Sequence, residues 1–228
     1  MSNLDPTAFN KIPNHHNIHL ASVLRMNVND SLVVFNESCG EWLASIVSID
    51  KKGIYVRCLE NIRPAFEDEH KLRIAFGMIK HDNMKWMIEK ITELGVTEIF
   101  PLITEYSNIK DMNCEKYNKI IIAAVEQSER ISVPALHNPM SFNSFLNEHG
   151  EDGWCAALER TNSVYDRDAV ANSGFIIGPE GGFSKEETEK LLTNPTITPI
   201  SLSQNILRTE TAAIACASIS FIWRRSRK

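Results

Sequence analysis

A chain of 228 residues with 43% hydrophobic content is long enough for two small domains or one large one, with apolar surface enough for a real core. Its formal net charge of -5 disfavours a broadly basic nucleic-acid binder, and five scattered cysteines, without a C-x-x-C pair or a histidine at ligand spacing, argue against a metal site or a disulfide framework. The N-terminus shows no signal-peptide pattern and the apolar run Ala212–Trp223 is shorter than the roughly 20 residues of a bilayer span, so a cytoplasmic protein without membrane contact is expected.

Charge is not evenly spread. From residue 201 onward, Arg208, Arg224, Arg225, Arg227 and Lys228 are opposed by Glu210 alone, a pattern that suits either an RNA-facing end or a solvated tail. Upstream, His19–Arg25 reads as a short lead-in helix. Ser31–Phe35, Trp42–Ile49 and Gly53–Leu59 then read as strands of a small β-barrel or meander, separated by turns at Asn36–Ser38 and Asp50–Gly53. Pro64–Lys71 is acidic and has no core period, which makes it the expected linker between a domain over 1–71 and a second over 72–228.

Beyond Leu72 the texture changes to alternating strand and helix. Leu72–Ile79 reads as a strand; Asp82 or Asn83 is positioned to cap a helix whose apolar face is Met84, Met87, Ile88, Ile91 and Leu94, ending at Gly95. Val96–Leu102 is the next strand, and Tyr117, Ile120, Ile121, Ala124 and Val125 recur at helical spacing. Further strands are expected at Gly153–Leu158, Phe175–Ile177 and Ile197–Leu202, giving a mostly parallel sheet with helices on both faces.

Two strand ends carry unusual loops. In Gly178-Pro179-Glu180-Gly181-Gly182 the proline fixes φ and the paired glycines allow left-handed backbone and close approach of a ligand, although a plain αβ turn uses some of the same residues. Ser184 and Glu187 have capping-box spacing. With Glu180 at its centre and Glu186 and Glu187 at the helix start, the loop would repel phosphate; a ligand with hydroxyls, an amine or a cationic centre fits better, as S-adenosylmethionine does. The second loop, Ser203–Arg208, leads into a helix with Thr209 as expected N-cap and small residues Ala212, Ala213, Ala215, Cys216 and Ala217 on its faces.

The segments GFIIGPEGGFSKEE and ISLSQNILRTETAAIA resemble the two signature segments of the SPOUT superfamily of RNA methyltransferases, in its ribosomal RNA small subunit methyltransferase E branch. Lys85–Pro101, Ala124–Pro134 and His19–Met26 are similar to further segments of that family in the same order, so the likeness covers nearly the whole chain. The resemblance implies an N-terminal PUA-like β-barrel that helps hold RNA and a C-terminal α/β domain with a parallel sheet and a deep trefoil knot. It also implies a homodimer and methylation of uridine N3 in small-subunit ribosomal RNA, naked or in the assembled subunit.

On this chain the resemblance places S-adenosylmethionine against Leu158, Ile177, Gly178, Pro179, Glu180, Gly181, Gly182, Leu202, Ser203, Ile206, Leu207 and Arg208. For the chemistry of uracil N3, Arg208 is the expected cationic stabiliser or phosphate contact and Glu180 the expected cofactor ligand or proton acceptor, as the candidate catalytic pair, and Arg25, Arg130 and Arg208 are expected at the RNA. Where the family pattern has L-G-x-R, this chain has Leu202-Ser203-Gln204-Asn205, and Ser22 stands where an arginine is common, so cations for phosphate are fewer. Two other readings stay open: methylation of another RNA atom, such as a ribose 2'-hydroxyl or another base, and, on the strength of those departures, a non-catalytic RNA-binding or assembly factor.

Overall fold

The computed structural model describes residues 4–65, 71–159 and 174–225. The chain divides into two compact units, Met1–Asp68 and Glu69–Lys228. Residues 66–70 of the expected linker, and the basic residues 227 and 228, lie outside the described residues.

The first unit is an antiparallel sheet of four strands, β1 Phe9–Lys11, β2 Ser31–Asn36, β3 Gly40–Asp50 and β4 Gly53–Arg63, in the order β1–β4–β3–β2. The two hairpin turns are closed by side chains: Asn36 Oδ1 accepts from the Cys39 amide at 2.7 Å, and Asp50 Oδ1 from the Lys52 amide at 2.7 Å. Alternate residues Val34, Ala44, Ile46, Ile54 and Val56 turn inward and are buried with Leu4 and Ile12 in one cluster. The lead-in helix begins earlier than expected and continues into the expected range: α1 is Asn14–Ile18, it runs on as a π-helical turn at His19–Val23, and Arg25 follows in left-handed backbone with φ 52°.

The second unit is built on a seven-stranded sheet in the order β11–β9–β10–β5–β6–β7, with β8 also paired to β6. Its strands are β5 Arg73–Gly77, β6 Glu98–Ile103, β7 Ala135–Leu136, β8 Met140–Ser141, β9 Trp154–Ala157, β10 Gly174–Ile177 and β11 Ile197–Ile200, and every pairing is parallel. The helices are α2 His81–Glu93, α3 Cys114–Gln127, α4 Phe142–His149, α5 Lys185–Thr193 and α6 Thr209–Arg225. On one face, Ala75, Phe100, Leu102, Ala156 and Ile176 bury against Phe142 and Phe145 of α4 and Leu191 of α5. α6 packs on β10, β5 and α2, where its small residues Ala213, Cys216 and Ala217 are wholly buried and permit a close approach. Burial pushes the Cys216 thiol far above its usual range, so it is an inert packing group.

The expected helix faces are in place. Met84, Met87, Ile88 and Ile91 are buried along α2, and Gly95 takes φ 90° while the Val96 amide reaches back to the Ile91 carbonyl at 3.1 Å, a left-handed helix ending. Neither Asp82 nor Asn83 caps α2, which starts at His81 after Lys80 without a side-chain cap; Asp82 lies in the first turn, where its charge favours the helix dipole. The trefoil knot is a property of the whole chain path, and that path includes residues 160–173, outside the described residues.

Candidate active site

Strands β11, β9 and β10 lie side by side, with Ile200, Ala157 and Ile177 in register at their carboxyl ends. Beyond those ends is a cleft of about 330 Å³, within the size range of small-molecule sites and where open parallel sheets hold ligands. It is lined by Leu158 from the end of β9, by Ile177 and the loop Gly178–Gly182 after β10, and by Leu202, Ser203 and Leu207 after β11. Thr209 and Ala212 close it from the start of α6.

Each wall has a local cause. The Gly182 amide donates to the Pro179 carbonyl at 2.8 Å and Gly182 takes φ 72°, a tight turn that suits glycine. Ser184 and Glu187 form the expected capping box, and the other carboxylate oxygen of Glu187 accepts from the Glu105 amide at 2.9 Å, so the cap also ties the β6–α3 loop to the site. On the far side of the glycine loop, a Cβ on Gly77 at the end of β5 would lie 2.4 Å from the Pro179 ring, which leaves no room for a side chain there.

Thr209 does something the sequence did not suggest. The first backbone bond of α6 runs from the Ala212 amide to the Arg208 carbonyl at 2.9 Å, so Arg208 takes the capping place. The Thr209 hydroxyl instead donates to the Gly178 carbonyl at 2.8 Å and fastens the two loops together. Thr209→Val keeps the shape and removes that donor. We expect it to lower the unfolding free energy by about 1–3 kcal/mol in urea denaturation, with Thr209→Ser close to the parent.

Among the described residues the cleft lining contains two carboxylates, Glu159 and Glu180, and no Lys or Arg. Glu180 is exposed and accepts a hydrogen bond from the Asn108 side-chain amide. Ile206 and Arg208 are not part of the lining: Ile206 is 63% exposed. The Arg208 side chain is 79% exposed, with its guanidinium 4.0 Å from the buried Glu210 carboxylate. The structure therefore separates the expected set into cleft residues and an outward-pointing cation at the rim.

A family model for an RNA methyltransferase domain matches residues 67–220, and one for an RNA methyltransferase PUA domain matches residues 19–59. The ribosomal RNA small subunit methyltransferase E of Rickettsia conorii is 36% identical over 210 residues, 88% of this chain and 84% of its own length. The chain belongs to the ribosomal RNA small subunit methyltransferase E family. The Bacillus subtilis member is 29% identical over 221 residues, covering 89% of this chain and 86% of its own. A Legionella pneumophila structure described as a methyltransferase in complex with the bound cofactor SAM is 32% identical, with a TM-score of 0.81, covering 98% of this chain and 94% of that one. The expected architecture, a PUA-like unit followed by an α/β methyltransferase domain, is the one the chain has.

Against the ribosomal RNA small subunit methyltransferase E pattern, the departure at Ser203 has a structural account. The left-handed residues other than glycine are Arg25, Asn29 and Glu129 among those described, so Ser203 does not strain the backbone by replacing glycine. Its hydroxyl accepts from the Asn205 amide at 3.0 Å and closes the loop with a bond that glycine cannot make. Arg130 is part-buried, and its guanidinium donates to the carbonyls of Thr92 and Val96, the latter at 3.0 Å, and to the Ser132 hydroxyl at 3.0 Å. That set of bonds fits a brace between α2 and β6 better than an RNA contact.

Proposed function

We propose that the chain is an S-adenosylmethionine-dependent methyltransferase that modifies N3 of a uridine in small-subunit ribosomal RNA. The observation that carries this reading is the acid-lined cleft at three parallel strand ends, in a chain whose family membership is established over most of its length. The lining suits the cofactor. Among the described lining residues, Glu159 and Glu180 without a cation favour a ligand with a positive centre and amine or hydroxyl donors, and Leu158, Ile177, Leu202 and Leu207 offer apolar contact for a flat ring system.

When bound, S-adenosylmethionine supplies an electrophilic methyl group on a sulfonium centre. Uracil N3 is a poor nucleophile until its imide proton leaves, so the chain must hold the base in line, accept a proton and stabilise negative charge on the ring oxygens. Glu180, whose carboxylate is steadied by Asn108 at the mouth of the cleft, is positioned to accept that proton. Arg208, exposed at the rim and tethered near Glu210, is the cation available to the developing oxyanion or to a flanking phosphate. Arg25 is an exposed cation of the PUA-like unit available to RNA phosphate. A homodimer with a trefoil-knotted second domain and a cytoplasmic place complete the proposal.

Labelled S-adenosylmethionine offered with isolated small-subunit RNA and, separately, with assembled small subunits tests it. We expect transfer to at least one of them; RNA binding without transfer to either would instead favour an assembly factor.

A further inference from the structure

The turn between β6 and α3 presents a half-exposed aromatic ring. Tyr106 is 49% exposed, and among the described residues its ring meets no other aromatic ring. The turn carrying it is nevertheless firmly held. The Ser107 hydroxyl donates to the Leu102 carbonyl at 3.2 Å and accepts from the Thr104 amide at 2.9 Å. The Glu105 amide donates to Glu187, the Asn108 amide donates to the Met78 carbonyl at 3.1 Å, and the Asn108 side chain donates to Glu180. These bonds immobilise Glu105 and Asn108 on either side of Tyr106, and no bond to the phenol is needed to do it.

The place where the ring is held matters. A Cβ added to Gly181 would lie 2.9 Å from Tyr106 Cβ, so the tyrosine backs directly on the glycine loop that forms one wall of the cleft. A bulkier residue at 181 would push the two apart. The flanking groups Glu105 and Glu180 are acidic and exposed, which disfavours a phosphodiester at this spot and leaves the neutral face of a nucleobase as the compatible RNA moiety. An exposed aromatic on a firmly held turn is what an unpaired base stacks upon, because every base has a π-face and the backbone that carries the ring is already ordered.

We infer that Tyr106 is a stacking platform for the unpaired nucleobase of the substrate RNA that enters the mouth of the cleft. The inference rests on the reading of the cleft as an RNA methyltransferase site. It gives the Asn108–Glu180 pair a second purpose, since the bond that steadies the carboxylate also fixes the platform beside it.

The test uses the full chain with Tyr106→Ala, Tyr106→Phe and Tyr106→Trp. Alanine retains the Cβ that lies nearest the Gly181 position and removes the ring, whose Cγ lies next nearest. Tyr106→Ala should lower kcat/KM for the RNA about tenfold to a hundredfold, leave S-adenosylmethionine affinity unchanged, and be rescued by Tyr106→Phe. Independently of methyl transfer, the indole added by Tyr106→Trp to a chain with four native tryptophans should give extra fluorescence quenched by a uridine-containing single-stranded RNA. Parent-like kinetics for Tyr106→Ala together with an unquenched indole would overturn the inference. Loss of cofactor affinity in Tyr106→Ala would overturn it too, since the residue would then be a brace for the glycine loop. If the parent protein transfers no methyl group, the proposed function fails, and the quenching experiment alone decides the platform.

Discussion

Gly178→Val is expected to abolish S-adenosylmethionine binding while the domain stays folded. Gly178 is not among the glycines with positive φ, so the backbone conformation is open to any residue and the effect is steric. A Cβ there would lie 3.3 Å from the Phe183 ring and 3.4 Å from the Gly182 carbonyl carbon, tight but tolerable for a single methyl group. The two further methyl groups of valine have only the Phe183 ring or the cleft to occupy, and either displaces the wall that the ligand needs. Titration calorimetry should show affinity lowered at least about a hundredfold, equivalent to about 2.7 kcal/mol, with an unchanged far-ultraviolet circular dichroism spectrum. Gly178→Ala should bind within a few fold of the parent. Undiminished affinity in Gly178→Val would remove this loop from the cofactor site.

The second large effect belongs to Arg208. Because its side chain is 79% exposed and does not line the cleft, Arg208→Ala should leave cofactor affinity within about threefold of the parent, a change of less than a kcal/mol. If Arg208 stabilises charge that develops on the uracil ring, methyl transfer at saturating RNA should fall about 10²–10³-fold. Arg208→Lys, which keeps the charge but not the planar fork, should recover part of that loss. A purely phosphate-contacting role predicts a different pattern: a raised KM for RNA whose excess over the parent is largest at low salt and shrinks as salt rises, with kcat preserved. Single-turnover rates across a range of RNA concentrations separate the two.

What could be read in the sequence was local. The apolar faces of α2 and α3 repeat at helical spacing, the Ser184 capping box lies within four residues, and the glycine loop advertises itself by residue types that ordinary backbone does not require. Elements that depend on distant partners were not legible. β1 is three residues long and exists because it pairs with β4; β7 and β8 are two-residue strands on β6; α4 is a short helix between Pro139 and Gly150, capped by Ser141 and anchored by Phe142 and Phe145.

The site divides the same way. Its glycines and Ser203 were visible as a pattern, whereas the bonds that organise it join residues far apart in the chain. Thr209 and Gly178 are 31 positions apart, and Asn108 and Glu180 are 72 apart. Thr209 was expected to cap its helix because threonine at a helix start commonly does so. A carbonyl from another strand end outcompetes that local role, and only the fold brings it within reach. Tyr106 offered no signal at all, since a lone aromatic in a polar turn has no periodicity and its neighbour Gly181 comes from the loop after β10, across β5 from β6.

The most direct test of the account is to methylate small-subunit RNA with the purified protein and S-adenosylmethionine, digest the product to nucleosides and identify the modified one by mass spectrometry against synthetic standards. A single new nucleoside is expected, N3-methyluridine, absent from Gly178→Val and strongly reduced in Arg208→Ala. A methyl group on a ribose 2'-hydroxyl or on another base would keep the cleft and overturn the assigned chemistry, and an unmodified RNA recovered after demonstrated binding would contradict the enzyme altogether.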